Sequence, residues 1–348
     1  MKKILVTVLK IGISAAILGY LVWEAHRNEA FSHLRQQPKN WGLLTCALAA
    51  CFAAVWLTLV RWCYLVRALG LPLRMGDALR IGFLGYLFNL APMGIVGGDL
   101  LKAVMLARHQ KGRTAEAVAS VFVDRVLGLY LLFVVASVAI LGTGFWSLMS
   151  PQLQWVSKAT LVFTAVSTVA VVLVLLPDRT QGKSTRWIAR IPYVGPPLLR
   201  VVDAVQMYRH KLSVLALSAA MSVAVHSLFT LGVFFIAMGL YDKVHSLEKQ
   251  FVLVPLSAAT QVIPIPAGHV EASLHWLYRQ VPLPSGQVME ADEGLIVALG
   301  YRIITVLIAA VGICYYLGSR QEVAEVLHDA EQEPDPGPIS QAIASEPA

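Results

Sequence analysis

The sequence predicts an all-α polytopic membrane protein. Of its 348 residues, 57% are hydrophobic and only 14% are charged, and the mean hydropathy is +0.65. This composition lies far from that of soluble domains and excludes a water-soluble globule. Apolar runs of roughly 20 residues, the length that a helix needs to cross the hydrocarbon core of a bilayer, recur along the chain.

Six uninterrupted apolar runs predict six full transmembrane helices. The first follows a short basic N-terminus, is too long for the apolar core of a signal peptide and lacks a small-x-small cleavage site, so we interpret it as a retained helix. The six runs lie near residues 4–23, 43–60, 115–147, 158–176, 212–240 and 294–317.

Two further apolar runs, 81–98 and 251–279, are interrupted by polar and helix-breaking residues. Because irregular backbone is tolerated at membrane depth only where protein or water covers it, these runs predict re-entrant hairpins. The alternative is that both runs cross the membrane, which gives eight crossings and a less consistent charge pattern. The interrupting residues are Asn89, Pro92, Gly94, Gly97 and Gly98 in the first run, and Gln261, Pro264, Pro266, Gly268 and His269 in the second.

The formal net charge is +7, and the positions of the basic residues indicate the orientation of the chain in the membrane. Basic residues form short clusters between the apolar runs, without the aromatic platform of a nucleic-acid site, so no nucleic-acid partner is predicted. Basic clusters flank the first hairpin on both sides and fill the loop 177–211, which places these segments and both termini in the cytoplasm. The flanking residues are Arg61, Arg67, Arg74 and Arg80 before the hairpin and Lys102, Arg108, Lys111 and Arg113 after it.

These elements predict one membrane domain and a tail. The integral membrane domain covers residues 1–318, with a first half of about 1–147 and a second half of about 158–318, each containing one broken hairpin. Residues 319–348 are acidic, rich in Pro, Ala and Ser, and lack apolar periodicity, so they predict a disordered cytoplasmic tail.

The two halves share a plan. Each has a broken hairpin, a carboxylate at the exit of the hairpin and an arginine on the next span: Asp99 and Arg125 are 26 residues apart, and Glu271 and Arg302 are 31 apart. If one hairpin enters from each side, the halves form a weak inverted repeat, which in transporters points to a midplane site. The candidate binding residues are Asn89, Gly97, Gly98, Asp99, Asp124, Arg125, Gln261, His269, Glu271, Tyr301 and Arg302.

Charges inside apolar spans usually face a bundle interior or a wet cavity, because each costs about 2.5–3.5 kcal/mol at a helix centre. One hypothesis is that Arg125 and Arg302 share a cavity and hold a phosphate, while Asp99, Asp124 and Glu271 balance their charge or accept an amine or a proton. The alternative is that both arginines bind carboxylates or hairpin carbonyls and stabilise the fold.

Other ligand chemistry is not indicated. The four cysteines lie in or beside apolar runs, and His/Cys clusters with metal spacing, nucleotide-binding glycine motifs and hydrolase motifs are absent from the sequence, so no cofactor and no metal is predicted. His269 and His226 are candidate proton carriers, although a lone histidine is more often a hydrogen-bonded structural residue. The missing motifs favour transport over catalysis.

In combination, these motifs resemble those of the lysylphosphatidylglycerol synthase transmembrane-region family, also described as flippase-like integral membrane proteins. The resemblance covers roughly residues 1–318 and is most specific in the first half. The matching residues there are Arg61-Trp62, Gly85 through Asn89, Pro92, Gly97-Gly98-Asp99, Lys102, Ala117 through Val121, Asp124-Arg125 and Leu127-Gly128; those of the second half are Pro264, Pro266, Gly268, Glu271 and Tyr301-Arg302.

The resemblance implies a multi-pass protein of a bacterial-type inner membrane that moves or handles polar lipids, including aminoacylated phospholipids. Members that synthesise lysylphosphatidylglycerol carry a large soluble transfer domain, so synthase activity is not expected of this chain. After the second Pro-x-Pro, the family usually shows a glycine-rich sequence with an arginine, whereas this chain has Ala267-Gly268-His269-Val270-Glu271. His269 is a candidate replacement for that positive charge.

The leading hypothesis is a lipid transporter that admits a polar headgroup into a hydrated cavity between the two hairpins. The alternatives are an intramembrane lipid-modifying transferase with Asp99 or Asp124 as general base, an accessory subunit of a lipid or glycolipid pathway, and a scaffold that recruits a partner. The expected partners are a phospholipid or another polar lipid, the membrane itself, and a second copy of the chain or a biosynthetic protein.

Overall fold

The computed structural model describes residues 38–90, 97–145 except 109 and 111, 150–175, 195–262, 268–283 and 293–332, with isolated helical positions between 12 and 27. This part of the chain consists of helices joined by turns, in agreement with the predicted all-α class. The helices are α1 (Trp41–Ala68), α2 (Met75–Leu90), α3 (Gly98–Arg108), α4 (Thr114–Thr143), α5 (Pro151–Leu175), α6 (Gly195–Gln206), α7 (Leu212–Leu240), α8 (Leu247–Ala259), α9 (His269–Gln280), α10 (Glu293–Gly318) and α11 (Arg320–Gln332).

Five of the described helices, namely α1, α4, α5, α7 and α10, are long and apolar enough to cross a membrane. They coincide with five of the six predicted spans, and the chain is a multi-pass membrane protein. Most of the sixth predicted span, near residues 4–23, lies outside the described residues.

The two interrupted runs form helical hairpins. The arms α2 and α3 pack against each other, as do α8 and α9, and a 3-10 turn at Thr260–Val262 extends α8. With 16, 11, 13 and 12 residues, the four arms are only about 17–24 Å long at 1.5 Å per residue, shorter than the roughly 30 Å hydrocarbon core. These lengths favour arms that enter the membrane and turn back. The connecting residues 91–96 and 263–267, which include the three prolines of the predicted breaks (Pro92, Pro264 and Pro266), lie outside the described residues.

The centre of the bundle is the pair α1 and α7. The Asn40 N–H at the start of α1 donates to the Gly239 carbonyl near the end of α7, so the two helices are antiparallel. Small residues allow the close approach: a Cβ at Gly232 would overlap Cys51 Sγ, and one at Gly239 would lie 2.9 Å from a methyl group of Leu44. Such contacts are typical of helix association in membranes, where van der Waals packing replaces the hydrophobic effect.

Helix α5 lies at the periphery, with most of its apolar side chains exposed to the surroundings. Hydrogen bonds between side-chain hydroxyls attach it to α4. The Tyr130 and Thr168 hydroxyls lie 3.0 Å apart, and those of Ser137 and Thr164 lie 2.7 Å apart. In the low-dielectric membrane, these hydrogen bonds fix the rotation of α5 against α4.

The segment predicted to be disordered begins with a helix. In α11, Val323 and Val326 are buried against the first hairpin, and Glu322 and Glu325 form ion pairs with Arg80 on α2 (3.1 Å) and with Arg108 on α3 (3.6 Å). The expectation of disorder from residue 319 is wrong for residues 320–332, because tertiary packing orders a segment whose composition alone is polar. Residues 333–348 lie outside the described part of the chain.

Disrupting the apolar contact of α11 is expected to detach it from the hairpin. In Val323→Asp, a carboxylate replaces a fully buried methyl pair, which costs several kcal/mol unless the helix leaves the cluster. Trypsin cleavage after Arg320 should then be accelerated at least about tenfold. The matched control is Ala324→Asp, at the neighbouring exposed position. Equal cleavage rates in the two variants would contradict this packing.

A buried histidine anchors the base of the second hairpin. His245, in the loop between α7 and α8, lies 2.8 Å from the Val281 carbonyl and packs edge-on against Tyr278. Burial lowers the pKa of His245; the Val281 carbonyl opposes this shift, and the Lys249 ammonium adds to it. The side chain is therefore neutral in the folded protein at neutral pH.

This histidine is expected to make stability depend on pH. The unfolded chain protonates His245 near pH 6.5, whereas the folded chain does so only at a lower pH, so stability is lost as the pH falls below about 6.5. Melting temperatures measured between pH 8 and pH 5 should fall less steeply for His245→Gln than for the wild type. His210→Gln, at an exposed position, should retain the wild-type slope. Parallel slopes for all three proteins would refute the assignment.

Candidate functional site

The arms of the first hairpin meet at two glycines. A Cβ at Gly98 would overlap the Gly85 carbonyl oxygen, so the backbones of α2 and α3 are in direct contact. Asn89, at the end of α2, accepts a hydrogen bond from the Gly98 N–H (2.9 Å) and so caps the start of α3. Two predicted binding residues, Asn89 and Gly98, are thus occupied in shaping the hairpin. A Cβ at Gly97 would meet no atom within 4 Å.

The carboxylate of the first hairpin pairs with the arginine of the next span. Arg125 Nη2 on α4 donates to Asp99 Oδ1 at 2.5 Å. The side chains of Arg125 and Asp99 remain 50% and 38% exposed, so this pair is accessible from outside the protein.

The second hairpin repeats this arrangement. Gly268 has a φ of +97°, a left-handed value that suits glycine, and its N–H donates to Glu271 Oε2 at 3.0 Å. The other oxygen, Glu271 Oε1, accepts from Arg302 Nε on α10 at 2.5 Å. The Glu271 side chain is 1% exposed and that of Arg302 is 21% exposed, so this pair is more enclosed than the first.

The structure therefore brings together each carboxylate and arginine that the sequence analysis placed in corresponding positions. In both halves the carboxylate lies in the first turn of the returning arm, and the arginine lies on the next long helix. Each arginine binds a carboxylate, which is the arrangement that the structural alternative expects. Pairing keeps both charges neutralised at membrane depth.

Asp124 belongs to a different contact. It faces away from Arg125 and accepts a hydrogen bond from Arg61 Nε on α1 at 2.9 Å. Arg61 also donates to Ser222 Oγ on α7 (2.6 Å) and to the Asp124 backbone carbonyl (3.2 Å). Arg61 therefore joins α1, α4 and α7, and both side chains of its ion pair with Asp124 are only 4% exposed.

Two charges interpreted as loop signals lie inside the protein. Arg61 is within α1, which continues to Ala68, and Lys102 is within α3, with a side chain only 6% exposed. Lys102 Nζ lies 4.0 Å from Asp99 Oδ1 and 5.6 Å from the centre of the Trp62 ring. Neither residue was among the candidate binding residues. For Lys102, the signal that could have found it is its helical register with Asp99, three residues earlier, since positions three or four apart share a helix face. Arg61 has no such local signal, because its partner Asp124 lies on another helix.

The remaining predicted residues lie around the second pair. Gln261 is exposed in the 3-10 turn after α8, and His269 is the partly buried first residue of α9. Tyr301 packs edge-on against Phe229, with ring centroids 6.3 Å apart, and lies within electrostatic reach of Glu271 and Arg302. His226 Nε2 lies 2.9 Å from the Gly128 carbonyl, a contact that joins α7 to α4.

Two cavities of the described residues lie away from both pairs. One of about 820 Å³ surrounds the turn between α1 and α2 and is lined by Arg67, Arg74 and Asp77, among others. The other, of about 310 Å³, is an apolar groove between α4, α5 and α8 that includes Phe133 and Phe163. A hydrated cavity shared by Arg125 and Arg302 stays a prediction.

Comparison with known proteins places the chain in a family. The profile of the family described as "Lysylphosphatidylglycerol synthase TM region" matches residues 7–312, which include both hairpins and both ion pairs. No curated protein matches the chain. On the evidence of a match over most of its length, the chain belongs to the lysylphosphatidylglycerol synthase transmembrane-region family.

Proposed function

We propose that this protein translocates a lipid with a polar headgroup across a bacterial-type inner membrane, with both termini in the cytoplasm. The family supports a lipid-handling membrane protein. The observation that carries the proposal is the pair of matching ion pairs, Asp99–Arg125 and Glu271–Arg302, each at the start of a returning hairpin arm.

The depth of these pairs suits a headgroup in transit. Arg125 lies 11 residues after the start of α4, and Arg302 lies 9 residues after the start of α10. At 1.5 Å per residue, these positions are about 17 Å and about 14 Å from the helix starts, within the length of helix that a roughly 30 Å hydrocarbon core would enclose. A translocated headgroup must pass this depth, where polar partners are otherwise scarce.

The chemistry of the pairs suits exchange of partners. A guanidinium binds carboxylate and phosphate groups with the same planar, forked geometry. An arginine held by a carboxylate can therefore transfer to the phosphate of a lipid without passing through an unpaired state, while the acyl chains stay in the bilayer. The greater exposure of Arg125 makes it the first candidate for this contact.

Removal of Arg125 is expected to lower lipid exchange between leaflets. The purified protein is reconstituted in liposomes that contain headgroup-labelled phospholipids of several classes, and the exchange rate is compared for the wild type and Arg125→Ala. We expect a decrease of at least about tenfold, since a charge-assisted contact contributes roughly 1.5–3 kcal/mol. Arg302→Ala should also decrease the rate.

The matched control is Arg320→Ala, which removes an exposed arginine of α11 outside both pairs and should retain the wild-type rate. Normally inserted Arg125→Ala and Arg302→Ala proteins that exchange lipid at the wild-type rate would refute the proposed site. Mass analysis of the recovered lipid separates transport from catalysis: a covalently changed lipid would instead favour the transferase hypothesis.

A further inference from the structure

The charged groups at the tip of the first hairpin do not balance. Two other cations, Arg61 and Arg125, and two carboxylates, Asp99 and Asp124, lie within electrostatic reach of the Lys102 ammonium. Among the described residues, three positive charges therefore face two negative ones. Asp124 is bound to Arg61, so Asp99 is the carboxylate that remains for both Arg125 and Lys102.

Lys102 is the group that this imbalance affects most. Its side chain is buried, and the oxygen that it faces, Asp99 Oδ1, is 4.0 Å away, beyond hydrogen-bond distance. The same oxygen already accepts from Arg125 at 2.5 Å. An ammonium carries three donors, and a buried charge is costly unless it is paired and hydrogen-bonded. The Trp62 ring, 5.6 Å from Lys102 Nζ, supplies a cation–π contact but no acceptor atom.

Trp62 itself carries another unused donor. Its side chain is 1% exposed, and its Nε1–H has no hydrogen-bond partner in the part of the chain that the structure describes. Trp62 lies on α1 and contacts Lys102 on α3, so both unsatisfied donors belong to the same helix packing. Trp62 and Lys102 thus place two donors in one helix packing, and neither has an acceptor within hydrogen-bond distance among the described residues.

Among the described residues, the ion pair of the second hairpin is balanced. Glu271 and Arg302 form a pair of one negative and one positive charge, and both Glu271 oxygens have donors. The excess positive charge is thus a property of the first hairpin and not of the repeated plan.

We infer that Lys102 and Arg125 form a binding site for a phosphate-type oxyanion, which makes the transported headgroup a net anionic one. The inference rests on the proposed function and narrows its substrate class. The half-exposed guanidinium of Arg125 provides a forked contact that a ligand can reach, and the ammonium of Lys102, which faces the same Asp99 oxygen, provides a buried point charge. An aminoacylated headgroup with net positive charge would increase the imbalance.

The test is isothermal titration of the detergent-solubilised full chain with three probes: short-chain phosphatidylglycerol, its lysyl ester, and inorganic phosphate. Phosphatidylglycerol should bind the wild type at least about tenfold more tightly than the lysyl ester does. Lys102→Met should weaken phosphatidylglycerol binding at least about tenfold, whereas Lys102→Arg, which keeps the charge, should bind within a few-fold of the wild type. The matched control is Lys158→Met, at an exposed position of α5.

The three probes distinguish a lipid headgroup from free phosphate as the source of the oxyanion. Phosphatidylglycerol binding that inorganic phosphate does not displace supports a lipid headgroup; displacement, with the same dependence on Lys102, supports a site that accepts free phosphate as well. Absence of anion binding to the wild type, equal affinity in Lys102→Met, or tighter binding of the lysyl ester would overturn the inference.

The two hypotheses fail separately. Leaflet exchange that depends on Arg125, without anion binding that depends on Lys102, rejects the anion site and leaves the transport proposal in place. Anion binding that depends on Lys102, without leaflet exchange, rejects transport and leaves the anion site in place.

Discussion

Replacing Arg61 with methionine is expected to lower the free energy of unfolding by about 3–5 kcal/mol, the usual effect of removing one partner from a buried ion pair. Arg61 binds both Asp124 and Ser222, so its loss leaves a buried carboxylate and a buried hydroxyl without their shared donor. Three helices, α1, α4 and α7, meet at this contact. Thermal unfolding of the detergent-solubilised protein measures the effect.

A double variant tests whether the loss comes from the orphaned charge. Arg61→Met combined with Asp124→Leu replaces the pair by apolar side chains of similar size, a change that is often neutral or stabilising in buried sites. It should recover most of the lost melting temperature. Arg67→Met, one and a half turns further along α1, removes a contact to the Leu73 carbonyl and should have a much smaller effect. A stable Arg61→Met protein would show that Asp124 does not depend on this partner.

Gly98→Ala is expected to be the most disruptive change of a single methyl group in the first hairpin. The added Cβ would overlap the Gly85 carbonyl oxygen and lie 2.9 Å from Cγ of Asn89. Since the first of these atoms belongs to the backbone, relief requires that the two arms separate, and overpacking of this kind costs about 1–3 kcal/mol or more. A lower melting temperature and lower leaflet exchange should therefore appear together.

Gly97→Ala is the matched control for this variant. The neighbouring Cβ would meet no atom within 4 Å, and Gly97 has no left-handed φ, so its stability should equal that of the wild type. If Gly97 contacts the lipid headgroup, Gly97→Ala lowers exchange alone. Equal melting temperatures for Gly98→Ala and the wild type would show that the arms are not in backbone contact.

Local sequence signals are sufficient to predict the spans and the hairpins, because the length of an apolar run, or a break in it, determines these elements. Five spans agree with uninterrupted apolar runs, and the glycines at 97, 98 and 268 mark the starts of the two returning arms. The paired positions of Asp99 and Arg125 followed from comparing the halves. The bond between them could not follow from spacing, since it depends on how α3 and α4 pack.

The features that the sequence did not predict, namely two buried cations and the order of α11, share a physical cause. Sequence alone assigns Arg61 and Lys102 to loops, because an arginine or lysine at the end of an apolar run usually lies in water. Their burial depends on partners 63 residues away for Arg61 and on the neighbouring Trp62 for Lys102. Likewise, α11 is polar by composition, and its order depends on two valines and two ion pairs with the first hairpin. Contacts between distant segments leave no trace in local composition.

The different caps of the two returning arms give the two ion pairs different freedom to exchange partners. In the first hairpin, Asn89 holds the α3 N–H, so Arg125 can leave Asp99 for a ligand while the start of the helix stays intact. In the second, Glu271 holds both the Gly268 N–H and Arg302, so its reorientation toward a ligand would also uncap α9. Exchange of partners is therefore expected to cost less at Arg125 than at Arg302.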